Sequence, residues 1–317
     1  MATLTFGCTF SDRIEAFLDR RVGVDDFDLA LSIVEPQKLF RQTVREATFD
    51  IAELSMGSHI AAVGRGTPDY VGLPVFLSRS FRHSNLYVRT DRGIERPEDL
   101  AGRRIGLVDF QQTAALWLRG VLADDHGVSR ESIRWITAGL HAPVLDDRAP
   151  MALPAGIHVT RSSSTLDDLL ARGEIDAVIS PAAPRCFIEH EAPVDRLWRD
   201  YRREEIAYWR RRALFPIMHV AVLRRSLAER NPGLAGALCG AFEQARQIAI
   251  NDLAHRDFPK VTMPWLNHHA ADCRQVLGSD PWTYGIEDNR AVLATMLRYA
   301  WQDGLTDRGL TVEDLFA

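Results

Sequence analysis

The sequence predicts an α/β protein built as two lobes, and three observations predict it. Strand-like and helix-like patterns alternate along the chain, as they do where open, largely parallel sheets are flanked by helices. At 317 residues there is enough chain for two medium cores. Two apolar runs that read as strands, residues 84–88 and 217–223, stand about 130 residues apart and bracket a segment that reads as a complete α/β domain. Strands that leave one lobe, enter another and return would make a hinge. Each of these two has a histidine where a polar loop meets the apolar run, His83 and His219, and Arg82 precedes the first. The pattern predicts a cleft that grips an anion and moves protons.

Taken in order, residues 4–8 read as a strand that Cys8 ends near the expected cleft, and Ser11-Asp-Arg13 opens a helical pattern over 14–18. Residues 28–34 read as a strand, 36–47 as a helix, 49–52 as a short buried strand, 55–63 as a helix and 70–76 as a strand. Pro97 starts a short helix that Gly102 stops, and a buried strand follows to Val108. The loop 109–113 leads into a helix through Leu116, Trp117, Gly120 and Val121. Residues 139–157, rich in Pro, Ala and Asp, read as a long loop able to cover the cleft, with His141 in it. Ser164 reads as the cap of a helix that Gly173 ends, and 177–180 as a buried strand. Leu234, Leu238, Phe242, Ala245 and Ala249 keep helical spacing, and a last helix is predicted over 289–301.

Composition bounds the function. Apolar content of 46% and charged content of 26% are ordinary for a soluble globular protein. A net charge of -5 without a basic face argues against nucleic acid as a partner. Arg202-Arg203 and Arg210-Arg-Arg212 are interleaved with Glu204 and Glu205 and read as a solvated helix face. No apolar run approaches the roughly 20 residues of a membrane span. The first residues read directly as a strand, with no export-signal pattern, which predicts a cytoplasmic protein without a membrane partner. Cys8, Cys186, Cys239 and Cys273 are isolated and read as structural thiols of a reducing compartment. The nicotinamide Gly-x-Gly-x-x-Gly, the nucleotide-binding Walker pattern and a compact Gly-x-Ser-x-Gly are all missing, so those chemistries fall away.

Several motifs together carry a resemblance: Phe81-Arg-His-Ser84, Arg96-Pro-Glu-Asp-Leu-Ala-Gly102, Gln112-Thr-Ala-Ala-Leu-Trp-Leu-Arg-Gly120, Gly173-Glu-Ile-Asp-Ala177, Phe215-Pro-Ile-Met-His219, Pro264-Trp-Leu266 and Trp282-Thr-Tyr-Gly285. The chain resembles the 4,5-dihydroxyphthalate decarboxylases, relatives of type II periplasmic binding proteins and of thiamine-precursor binding proteins, nearly end to end. The Pro-Glu-Asp-Leu-x-Gly piece is shared by many binding proteins. The Arg-His-Ser and Phe-Pro-Ile-Met-His pieces are narrower. The resemblance implies two α/β lobes joined by two hinge crossings around a central cleft: residues 1–87 with 219–317 as a discontinuous lobe one, and 88–218 as an inserted lobe two. It also implies decarboxylation of a hydroxylated aromatic dicarboxylate. The alternative reading is a non-catalytic binding protein for a small organic anion, serving transport or sensing.

Loss of CO2 from an aromatic ring needs a grip on the carboxylates, an acid for the ring carbon and polarised hydroxyls. Arg82 suits the grip, since a guanidinium holds a carboxylate through two parallel hydrogen bonds. Arg13 is a second candidate, and the helix start at Gln111 and Thr113 offers free backbone N–H groups. His83 and His219 are the proton carriers, because imidazole titrates near neutral pH. Glu53 and Asp12 suit a base or a holder of a histidine tautomer. Ser55, Ser58 and Ser84 would supply neutral hydrogen bonds, and Trp117, Trp282 and Tyr284 would wall the ring. Each has a structural reading too: Arg82 and Asp12–Arg13 as ion pairs, Glu53, Gln111, Thr113, Ser55 and Ser58 as caps, Trp117 and Trp282 as core. No organic cofactor is expected. A divalent metal stays an alternative, since a vicinal diol chelates such ions, but no His-x-His, His-Glu-x-x-His or Cys cluster supports it. His268-His269 has the wrong spacing for two ligands on one helix face. The sequence leaves oligomerisation open.

Overall fold

The structure, a computed structural model, describes residues 2–66, 68–143, 153–253, 257–258 and 260–317. Nearly half of the expected covering loop, residues 144–152 of 139–157, lies outside them. The chain divides into two compact units: residues 1–79, 217–293 and 311–317 form the first, and 80–216 with 294–310 the second. The sequence-based boundaries at 87/88 and 218/219 stand beside these at 79/80 and 216/217. The stretch 294–310 groups with the second unit, where Asp303 is buried against the guanidinium groups of Arg119 and Arg130. A carboxylate with no exposure is held only where its countercharges are.

In the first unit, β1 (Ala2–Cys8), β2 (Phe27–Ile33), β3 (Ile51–Ser55), β4 (Tyr70–Gly72) and β5 (Ser78–Arg79) share a sheet with β12 (Ile217–Arg224). The order is β2-β1-β3-β12-β4, and β5 also pairs with β12. In the second unit, β6 (Leu86–Arg89), β7 (Arg104–Leu107), β8 (Arg134–Thr137), β9 (His158–Arg161), β10 (Ala177–Ile179) and β11 (Val194–Arg196) order as β11-β6-β10-β7-β8-β9. Both sheets are mixed rather than largely parallel. β1 runs parallel to β2 and β3, and β7, β8, β9 and β10 run parallel, but β12 and β6 are antiparallel to their neighbours. These two are the first strands the chain forms after it passes into a unit at 216/217 and at 79/80, so no helical crossover dictates their direction. Each strand lies wholly within one sheet.

The elements follow local chemistry. β1 alternates toward a buried end, with Leu4, Phe6 and Cys8 inward. Phe6 meets Phe17 and Phe242 edge-on at 6.2 and 5.6 Å in a core completed by Ile14, Ile51 and Leu238. Burying each such side chain contributes roughly 1.5–3 kcal/mol. β3 is buried at every residue, so its one carboxylate, Glu53, needs partners. Thr165 rather than Ser164 caps the helix Leu166–Ala171, its hydroxyl accepting from the Asp168 amide at 3.1 Å. The last residues return to β4: the Ala317 amide donates to the Gly72 carbonyl at 3.0 Å, and buried His59 meets the Leu315 carbonyl through Nε2 at 2.8 Å. Among the described residues, no helix is long and apolar enough to cross a membrane.

Candidate active site

The first unit brings Glu53 and His219 together. β12 runs antiparallel to β3, with His219 opposite Ser55 and Ala221 opposite Glu53. Glu53 Oε1 lies 2.6 Å from His219 Nδ1. Glu53 Oε2 accepts from the Thr9 amide at 2.8 Å and the Thr9 hydroxyl at 2.6 Å. Burial pushes the Glu53 carboxyl up, but the His219 hydrogen bond and charge, with the two Thr9 bonds, pull it down further, and the net position is below the ordinary value. An ionised Glu53 only accepts, so Nδ1 of His219 carries the hydrogen and Nε2 is the nitrogen left to exchange a proton. The imidazole also meets Phe40 edge-on at 4.9 Å. Cys8 lies close enough to sense the same carboxylate: burial, then the Glu53 charge, pushes its thiol up to about 12, which keeps it protonated.

Asp12, Arg13 and Trp282 form a second set in this unit. Arg13 donates to Asp12 Oδ1 at 2.6 Å and to the Leu77 carbonyl at 3.0 Å, and its guanidinium sits 4.3 Å from the centre of the Trp282 ring. Trp282 is fixed by its own Nε1–H to the Phe76 carbonyl at 2.9 Å. The Tyr284 hydroxyl is buried without a hydrogen bond among the described residues, and Arg246 lies 5.4 Å over its ring. Ser55 and Ser58 are buried at the start of the helix Met56–Gly64.

The second unit holds Arg82, His83 and Ser84. His83 opens a 3₁₀ turn, His83–Asn85, and is 4% exposed. Its ring packs on Trp198 at 5.0 Å and Tyr208 at 5.4 Å. Burial, with the neighbouring charge of His126, lowers its pKa to about 4, so the ring is neutral at neutral pH. Arg82 Nη1 donates to Asn85 Oδ1 at 3.0 Å. The Ser84 carbonyl accepts from Arg196 Nε at 3.0 Å. Gln111, Thr113 and Trp117 are buried around the start of the helix Thr113–His126, with Trp117 edge-on to Tyr299 at 5.6 Å. His141 of the expected covering loop meets Asp167 at 3.2 Å. Among the described residues, no three His, Cys, Asp or Glu side chains gather as a metal-holding set.

Two functional-looking residues escaped the sequence reading. Thr9 follows the first strand without a motif to mark it. In sequence Glu205 reads with its arginine neighbours as a solvated face, yet its carboxyl is turned inward to the Arg82–Ser84 turn. The signal was Tyr208, three residues on, which shares its face of the helix Tyr201–Arg212 and is buried.

Comparison with known proteins places the chain. A family model described as NMT1/THI5 like matches residues 25–181. A 4,5-dihydroxyphthalate decarboxylase of Comamonas testosteroni is 38% identical over 307 residues, which is 96% of this chain and 93% of that protein. One from Pseudomonas putida is 39% identical over 190 residues, 59% of this chain and 74% of its own. Among solved structures, a putative periplasmic sulfonate-binding protein SsuA of Methylobacillus flagellatus aligns with a TM-score of 0.59 at 12% identity, covering 100% of this chain and 92% of its own. The aliphatic sulphonate binding protein SsuA of Escherichia coli aligns at 0.56 and 14% identity, with 100% and 92% covered. Those two likenesses carry the periplasmic-binding-protein-like fold of two α/β lobes. The near end-to-end identity carries more: this chain belongs to the 4,5-dihydroxyphthalate decarboxylase family.

Proposed function

We propose that this protein is a carboxy-lyase that converts 4,5-dihydroxyphthalate to protocatechuate and CO2, a step of aromatic catabolism in the cytoplasm. The observation that carries the reading is the 38% identity to a protein named for that activity, kept over 96% of the chain. The chemistry fits the residues. A proton is added to the ring carbon that bears the carboxylate, helped by electrons from the para hydroxyl. The bond to the carboxylate carbon then breaks, its electron pair returns to the ring, CO2 leaves and aromaticity is restored. His219, with Nδ1 held by Glu53, is assigned the proton transfer through Nε2. Arg82 is assigned a substrate carboxylate. The reaction moves one proton and no redox electrons, so no organic cofactor is required and we assign none.

Purified protein incubated with 4,5-dihydroxyphthalate is expected to release CO2 and protocatechuate in equal amounts, and to keep doing so after exhaustive chelation of divalent ions. Tight binding without turnover, with or without added metal, would replace this reading by that of an anion-binding protein.

A further inference from the structure

His83 poses a problem that its neighbours answer. Its ring is wrapped by Trp198 and Tyr208, and its Nδ1 is sealed from solvent with no hydrogen bond among the described residues. A buried imidazole in such walls resists becoming a cation, so alone it shuttles protons poorly near neutrality. One carboxyl faces that nitrogen: Glu205 Oε1, 4.0 Å from Nδ1. The same carboxyl accepts from the backbone amides of Ser84 and His83 and senses Arg82. The turn is therefore clamped from both sides, by Glu205 on its amides and by Arg196 on the Ser84 carbonyl.

We infer that Glu205 is the positioning residue of the Arg82–Ser84 turn and the proton-sharing partner of His83. The inference rests on the decarboxylase reading for its kinetic consequence only. Closing the 4.0 Å gap by about 1 Å makes an O–H···N hydrogen bond. The relay then balances without building an imidazolium: Nε2–H gives its proton to a substrate oxygen, Nδ1 takes the proton of the Glu205 carboxyl, the ring stays neutral in its other tautomer, and Glu205 is left as a carboxylate held by the two amides and Arg82. Burial holds the Glu205 pKa up at about 7 against the pull of the amides and Arg82, so a proton is present to be shared near neutrality. The charged and titratable groups facing the pair are Arg82 in the turn, Asp125 and His126 on the helix Thr113–His126, and Tyr208 and Arg211 on the helix Tyr201–Arg212.

The test is Glu205→Gln in the full chain, which keeps the size and the acceptor for the amides but holds no acidic proton. We expect kcat to fall roughly 10- to 100-fold with KM little changed, and the loss of activity as pH rises through about 7 to vanish from the profile. Glu205→Asp is expected to restore part of kcat and the alkaline limb. A second readout needs no turnover: the ¹⁵N imidazole signals of His83, assigned by His83→Gln, should change tautomer balance near pH 7 in the native protein and not in Glu205→Gln. A Glu205→Gln protein with native kcat and profile overturns the inference. So does one that loses thermal stability while its His83 signals behave as in the native protein. If the native protein shows no decarboxylation, the function fails but the nitrogen signals still judge the pair.

Discussion

The two units each carry a carboxyl beside an imidazole, and the pairs sit in opposite electrostatic states. Glu53 is more deeply buried than Glu205, yet it ends below its ordinary pKa, because His219 and both Thr9 donors more than offset its desolvation. Glu205 has two backbone amides and Arg82 for company, and burial wins, raising it to about 7. The histidines divide likewise: His219 is hydrogen-bonded and partly exposed, whereas His83 is walled by aromatic rings and lowered to about 4. Burial alone does not set the charge of a carboxyl; the number and kind of donors aimed at it do. The difference leaves Glu53 ionised beside its imidazole and Glu205 holding a proton into the neutral range.

The comparison can be broken or sharpened in order of expected effect. His219→Asn removes the nitrogen assigned to proton transfer and is expected to lower kcat by roughly 10²–10⁴, measured in steady state. Near-native kcat would move the chemistry away from the first unit. Glu53→Gln, which cannot fix the tautomer by charge, should fall in the same direction by less. Arg82→Ala is expected to raise KM by roughly 10- to 100-fold, the worth of one charged hydrogen-bonding partner at about 1.5–3 kcal/mol, with a smaller change in kcat. A fall in kcat alone would reassign Arg82 to the chemical step.

A further prediction concerns stability against pH. His83 and His59 have folded pKa values lowered from 6.5 to about 4, so the folded state binds fewer protons than the unfolded chain between those values. Their contribution is present above pH 6.5 and is lost as pH falls toward 4, at most roughly 3 kcal/mol each at about 1.4 kcal/mol per pH unit. Glu205, raised from 4.5 to about 7, runs the other way: its contribution is present below 4.5 and is lost as pH rises through 7. Denaturant midpoints across pH 4 to 7 should therefore show a shallow net slope, steepened by Glu205→Gln and flattened by His83→Phe. A Glu205→Gln slope equal to the native one would mean that this carboxyl is ionised throughout.

Much of the architecture was legible because it rests on periodicity. The helix expected over 36–47 is Pro36–Glu46, and the strand expected over 28–34 is Phe27–Ile33. Strand direction was not legible, since it depends on where the chain enters a unit, and the antiparallel β6 and β12 look in sequence like any other apolar run. The histidines, Arg82 and Glu53 stand out as residue types at strand ends. Their partners do not: Thr9 is 44 residues from Glu53, and Glu205 is hidden in an arginine-rich helix whose exposed residues dominate its composition. A donor supplied by a distant strand or helix leaves no local pattern, so the charge state of a candidate site is the part a sequence conceals.

The bond between His59 and the Leu315 carbonyl has a practical consequence. Residues 315–317 work as a clasp: Leu315 supplies the one hydrogen bond that the His59 imidazole, 1% exposed, makes among the described residues, and Phe316 lies edge-on to Phe76 at 6.2 Å. Without residues 315–317 that ring would have no hydrogen-bond partner among the described residues in the dry interior, and the edge of β4 would be bared.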